Sequence, residues 1–121
     1  LGAIENMARI EKDYYQKARS YMEKNVKNIK FLYFSDDINW VRSEFHLNDS
    51  DVVIDWNKGN NSYIDMQLMS LCQHNIVANS SFSWWGAWLN QGKDKIVIAP
   101  KKWFNNSDLN SKITPNNWIR F

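Results

Sequence analysis

Cysteine is nearly absent from this sequence: Cys72 stands alone, which excludes an intrachain disulfide, a CxxC pair and a thiolate zinc site. Neither sign of charge prevails, because 15 Lys and Arg against 13 Asp and Glu leave a formal net charge of +2. These charges are scattered without the basic stripe that nucleic-acid binding leaves, so charge names no partner. No segment resembles a signal peptide or a transmembrane span, and there is no internal repeat or interdomain linker. Glycine is scarce at four residues, while seven Trp, five Tyr and six Phe are many for a chain of 121. That balance speaks for a packed interior, with aromatics to spare for a sugar-facing surface, and against disorder. With 44% hydrophobic residues the chain has enough to build one core and too little length for two ordinary domains.

The stretch from Asn79 to Leu89 organises the rest. Asn75 to Ala78 reads as a short buried strand that stops at hydroxyl residues where a helix begins. Ser80, Ser81 or Ser83 can cap that helix, Trp84 and Trp85 each share a helical face with Trp88, and Gly86 leaves room for close backbone packing. A helix start carries unpaired N–H groups and partial positive charge, so a serine-lined corner suits phosphate oxygens without needing a lysine. Without a ligand, the same pattern describes a well-capped core helix.

Elsewhere helices and strands alternate. Asp13 to Asn25 places Tyr14, Ala18, Tyr21 and Met22 on one helical face, and Lys30 to Ser35 follows as a strand. Asp36 or Asp37 caps a helix with Ile38, Val41 and Phe45 on its inner face, and Val52 to Asp55 is a second strand. After the polar loop from Lys58 to Asn61, Ser62 and Asp65 form a variant capping box on a helix that aligns Ile64, Leu68 and Leu71. Lys95 to Ala99 is a strand closed by Pro100, and the Asn-rich tail beyond it is expected to be loosely structured. The pattern predicts an α/β domain with a Rossmann-like parallel sheet flanked by helices, spanning residues 1–121. In such a sheet the strand-to-helix loops share the carboxyl edge, so Ser35 to Asp37, Asn57 to Asp65, Asn79 to Ser83 and Pro100 to Trp103 should line one rim.

The run Asp65-Met66-Gln67-Leu68-Met69-Ser70-Leu71-Cys72, continued through His74 to Ala78 into Ser80-Ser81-Phe82-Ser83-Trp84-Trp85-Gly86-Ala87-Trp88, resembles glycosyltransferase family 11, which contains the α-1,2-fucosyltransferases. Tyr14 to Ala18, Phe34 to Asp37 with Trp40, and Lys95 to Phe104 are similar to it as well. The resemblance implies the carboxyl-terminal, nucleotide-sugar-binding half of a GT-B-type enzyme. Such an enzyme uses GDP-fucose without a metal or other cofactor and transfers fucose, with inversion, to the 2-hydroxyl of a galactoside-containing glycan. It further implies that Ser81 and Phe82, with Ser80 and Ser83 beside them, meet the diphosphate, and that Asp65 meets the base. Guanine offers adjacent N–H donors that a carboxylate accepts together. Asn79, Asp36 and Asp37 complete the candidate set. The family's His-x-Arg-Arg-x-Asp motif, whose arginine neutralises the leaving diphosphate, does not occur in this sequence. The chain therefore reads as a carboxyl-terminal fragment that binds nucleotide and is a poor catalyst alone.

Two other readings stay open: a transferase for another nucleotide sugar, and a non-catalytic nucleotide- or glycan-binding module whose tryptophans stack on sugar rings. Asp36 and Asp37 suit a metal less well than a helix cap. His46 and His74 lack partners at ligand spacing, Cys72 is expected to be buried and inert, and Lys101 with Lys102 reads as a solvated pair. Asn48, Asn60, Asn79 and Asn105 each begin an Asn-x-Ser sequence, and glycan on Asn79 would block the corner. A bacterial-type cytoplasmic setting follows as the expectation, compatible with peripheral attachment to an inner membrane.

Overall fold

The computed structural model of the chain describes residues 8–11, 13–35, 37–105 and 107–121. In chain order the elements are α1 (Tyr14–Asn25), β1 (Leu32–Phe34), α2 (Ile38–Glu44), β2 (Val52–Ile54), a single 3-10 turn (Gly59–Asn61), α3 (Tyr63–Leu71), β3 (Asn75–Ile76), α4 (Ser81–Trp88), β4 (Val97–Ala99), α5 (Ser107–Ile113) and β5 (Ile119–Arg120). None of the described helices is long and apolar enough to cross a membrane.

Periodicity explains the helices that pack. Tyr14, Ala18 and Met22 recur one turn apart along α1, and all three are buried against Ile98 of β4. The Tyr14 hydroxyl sits 2.6 Å from the Val77 carbonyl oxygen and 3.0 Å from that of Ile98, so one proton serves two backbone acceptors at the sheet. Burial drives the Tyr14 pKa upward, with the neighbouring Tyr15 as a lesser cause, and the group stays a neutral donor. In α2 the Asp37 carboxylate accepts from the Trp40 N–H at 3.0 Å, and Val41 is the buried residue.

The strands form two parallel sheets rather than the single one that alternation suggests: β1 pairs with β2, and separately β3, β4 and β5 pair in that order. Three further expectations are corrected. The tail is ordered: α5 and β5 lie in it, β5 extends the sheet beside β4, and Trp118 and Thr114 are buried. Hydrophobic contact with residues far away in sequence fixes this tail, and local composition does not register such contact. The capping box at Ser62 is not formed, since Ser62 already has helical backbone angles and makes no side-chain cap bond. Leu71, at the end of α3, is 79% exposed instead of sharing the inner face of Ile64 and Leu68.

Val77, Ala87, Val97, Ala99, Trp103 and Trp118 make one core around the three-stranded sheet, and Trp84, Phe104 and Ile113 pack against it. Helices α3 and α4 meet at Gly86, where an added Cβ would lie 2.8 Å from the Met69 Cβ and 2.9 Å from its sulfur. That glycine is required by the close approach, as the sequence suggested.

Candidate functional site

Ser80 is the residue that caps α4. Its Oγ accepts from the Ser83 N–H at 3.2 Å and lies 2.7 Å from the Ser83 Oγ, which also donates to the Ala78 carbonyl at 3.1 Å. The hydroxyls of Ser80 and Ser83 are thus used within the corner. Ser81 is exposed, and no hydrogen bond engages its side chain among the described residues. As the first two residues of the helix, Ser81 and Phe82 present N–H groups with no intrahelical acceptor. Two N–H donors, one hydroxyl and the positive end of an eight-residue helix therefore converge on the solvent side of the corner.

Asn79 Nδ2 donates to the Ala8 carbonyl at 2.6 Å and to that of Trp103 at 3.2 Å, while the Ala8 N–H donates to the Trp103 carbonyl at 3.0 Å. This stitch ties the segment before α1 to the ends of β3 and β4. Asp37 is occupied as the α2 cap, and Asp36 lies outside the described residues. Asp65 sits in the first turn of α3, half-buried, with its Oδ1 accepting from Asn57 Nδ2 at 2.8 Å. Both α3 and α4 follow strands that belong to parallel pairs, so both begin at a carboxyl strand end. Met69, four residues beyond Asp65 on α3, contacts Gly86, four residues beyond Phe82 on α4.

A cavity of about 610 Å³ runs between β1 and β3, with Ser35, Ser80, Phe82 and Ser83 at its carboxyl-end mouth; Asp65 is not on its wall. At the opposite end Arg19 lies over the Phe31 ring at 4.4 Å, pairs with the almost fully buried Asp51 at 3.5 Å, and donates to the Tyr33 hydroxyl. The serine corner therefore carries no charged side chain, and of the cations Arg19 and Lys30 on the cavity wall, Arg19 is paired with Asp51. The tryptophans split in the same way. Trp84 is held by an Nε1–H bond of 2.7 Å to the Ile113 carbonyl and stacks on Trp88 at 5.3 Å and 9°, whereas Trp85 and Trp88 are about half exposed.

The remaining candidates are structural. His74 Nδ1 accepts from the Ile96 N–H at 2.9 Å, and Cys72 ends α3 with its thiol on the Leu68 carbonyl at 3.3 Å and its pKa raised by burial. His46, Lys101 and Lys102 are exposed. Among the described residues no three His, Cys, Asp or Glu side chains gather as metal ligands. Sequence reading missed Asn57 as the partner of Asp65. It also missed Lys95, whose Nζ donates to the Ala87 and Asn90 carbonyls at 2.9 and 2.7 Å and closes the end of α4. The Lys95 signal was present as a cation shortly after a helix, but nothing local says how far back it reaches.

Parallel strands whose carboxyl ends lead into helix starts define an open α/β domain. The chain belongs to glycosyltransferase family 11: the model of the family described as glycosyl transferase family 11 matches residues 3–121. It is 45% identical over 107 residues to the O-antigen biosynthesis glycosyltransferase WbnK of Escherichia coli, covering 88% of this chain and 35% of that protein. It is 41% identical over 111 residues to an alpha-1,2-colitosyltransferase of Escherichia coli, covering 88% of this chain and 38% of that one. The chain thus spans little more than a third of the length of these curated relatives. No solved structure matches it.

Proposed function

We propose that this chain is the nucleotide-sugar-binding part of an α-1,2-fucosyltransferase of GT-B type, and that the start of α4 receives the diphosphate of GDP-fucose. The observation that carries the reading is the pair of free N–H groups at Ser81 and Phe82 beside the unengaged Ser81 hydroxyl, next to Ser80, Phe82 and Ser83 on the cavity wall. Oriented dipoles there favour an anion without counter-charge. Asp65, in the first turn of α3, accepts from the guanine N–H donors, and Asn57 holds the carboxylate in place through the second lone pair of its Oδ1. In the whole enzyme fucose passes to the 2-hydroxyl of a galactoside with inversion, no metal being needed. The arginine motif that would neutralise departing GDP is not in these residues, so residues 1–121 bind the nucleotide and transfer nothing by themselves.

Calorimetric titration with GDP, ADP and UDP tests this reading, alongside a radiolabelled fucose-transfer assay. GDP is expected to bind most tightly, and Ser81→Ala to weaken it about tenfold, the value of a hydrogen bond to a charged group. Asp65→Ala should remove the preference for GDP over ADP and UDP. Equal affinity for the three nucleotides with the native chain would overturn the role of Asp65, and fucose transfer by the chain alone would overturn the fragment reading. A second reading is favoured by the relative named as an alpha-1,2-colitosyltransferase, in which the linkage is kept and the sugar differs. Tighter binding of GDP-fucose than of GDP supports fucose; equal binding favours the second reading.

A further inference from the structure

We propose that the gap between β1 and β3 receives a sixth strand: an apolar segment, parallel to both, arriving from polypeptide ahead of Ala8. The backbone gives the first reason. The Val52 N–H bonds the Phe31 carbonyl and the register sets Leu32 opposite Val52, so alternation turns the N–H and C=O of Leu32 and Phe34 away from β2. In the same way the bonds from Asn75 N–H to Ile96 and from Val77 N–H to Ile98 leave the N–H and C=O of Ile76 directed away from β4. Among the described residues no strand pairs with either of these edges. Both border the same cavity, which runs the length of β1 and β3.

Strand order gives the second reason. Written across the gap the sheets read β2-β1, then the gap, then β3-β4-β5. A strand placed in the gap and preceding α1 in the chain yields the order 3-2-1-4-5-6 of a doubly wound sheet, with each crossover carried by a helix. The chain path agrees. Ala8, the residue through which the chain approaches α1, is bonded to Trp103 and Asn79 beyond the carboxyl ends of β4 and β3, which is where a parallel strand beside β3 would deliver it.

The walls define the occupant. Met22 and Val26 of the α1 region, Phe31 and Phe34 of the β1 region, and Ile76 and Val77 of the β3 region are apolar, and a strand covered on both faces reads as a continuous Val/Ile-rich run. The relatives have polypeptide for it, since the match takes up only 35% and 38% of their lengths. The inference stands on backbone geometry and is independent of the nucleotide reading.

The test fuses an apolar strand of about five residues, Val-Ile-Val-Ile-Val, through a short Gly-Ser linker ahead of Leu1, with a control fusion carrying Pro at its second and fourth positions. Residue-resolved amide exchange by NMR is the readout. In the chain without a fusion, the N–H groups of Leu32, Phe34 and Ile76 should exchange at least about tenfold faster than those of Tyr33 and Val77, and the Val/Ile fusion should remove that difference while the proline fusion leaves it. Equal protection of both sets without a fusion, no slowing with the Val/Ile strand, or equal slowing with the proline strand would each overturn the proposal. Protection that grows with protein concentration would assign the gap to a second copy, and protection by GDP alone would assign it to ligand; either also overturns it. GDP titration of the chain without a fusion reports separately on the nucleotide reading.

Discussion

The half of the molecule built on β3, β4 and β5 closes its own core, whereas the half built on β1 and β2 does not. Six buried residues from five separate segments meet around the three-stranded sheet, with Trp84, Phe104 and Ile113 packed on them. Among the described residues the two-stranded half contributes only Val41 and Ile54 as buried hydrophobics, and its β1 edge, like the β3 edge of the other half, faces the cavity. The difference teaches where the stability of the domain resides. Dense packing fixes helix α4 through Ala87, while Ser81 at its start stays exposed.

The largest expected effect breaks the dense half. Trp118 is 5% exposed in that core and its ring lies 5.9 Å from Trp84, so Trp118→Ala should cost about 3–5 kcal/mol, most of the stability of a marginal domain. Thermal unfolding followed by circular dichroism measures it. Survival of the native fold with less than about 1 kcal/mol lost would show that the tail does not hold the core together. Next comes Gly86→Ala. Its new Cβ meets Met69 Cβ at 2.8 Å, part of the side chain closest to the backbone and least free to yield, and overpacking of this kind costs about 1–3 kcal/mol. Because Met69 belongs to α3, the variant should also displace Asp65 relative to Ser81, visible as a loss of GDP affinity beyond the loss of stability.

How much of this was legible in the sequence follows from the range of each interaction. Strands β1 to β4 and helices α1, α2 and α4 announce themselves by local period and caps. The Trp-rich string contains a glycine, Gly86, whose purpose, close approach, was readable although its partner Met69 was not. The corner was readable as a helix start, but which serine caps it was not: Ser80, Ser81 and Ser83 are equivalent in sequence, and only the backbone angles of Ser80, extended at φ −127° and ψ 144°, decide. What stayed hidden depends on distant partners. The Asn-rich tail folds because Trp118 reaches the sheet core. Asn90 is buried because its Nδ2 finds the Cys72 carbonyl at 2.7 Å and the Asn75 Oδ1 at 2.8 Å, a network no composition rule foresees. The split of the sheet was invisible for the same reason.

A smaller effect tests the contact between α1 and the dense half. Tyr14→Phe keeps the ring and removes the proton shared by the Val77 and Ile98 carbonyls, which should cost about 1–3 kcal/mol. The adjacent Tyr15 supplies a pH dependence. Burial pushes its pKa from 10.0 up to about 12, so the folded chain holds a proton that the unfolded chain releases first. Stability from this group is complete below about pH 10 and declines as pH rises toward 12. Tyr15→Phe should flatten part of that decline in denaturant titrations between pH 9 and 12, and an unchanged slope would assign the decline to other groups, Tyr14 first.

The smallest effect sharpens the comparison most, because the same chemical change can be made once in each half. Ser80→Ala removes the α4 cap and Asp37→Ala the α2 cap, each deleting one side-chain bond to a backbone N–H, at 3.2 and 3.0 Å. Either should cost about 1 kcal/mol locally. Helix α4 is part of the dense core through Ala87, so its loss must pass to the whole domain and lower the global unfolding midpoint. Helix α2 flanks the half with the open edge, and its loss can be taken up by local opening, which raises amide exchange at Trp40 and Val41 while leaving the midpoint almost unmoved. Native-state exchange combined with urea unfolding separates the two outcomes. If Asp37→Ala lowers the midpoint as much as Ser80→Ala does, the two halves unfold as one unit. The contrast in packing would then carry no contrast in cooperativity, and the cavity would have to be regarded as a rigid part of the fold.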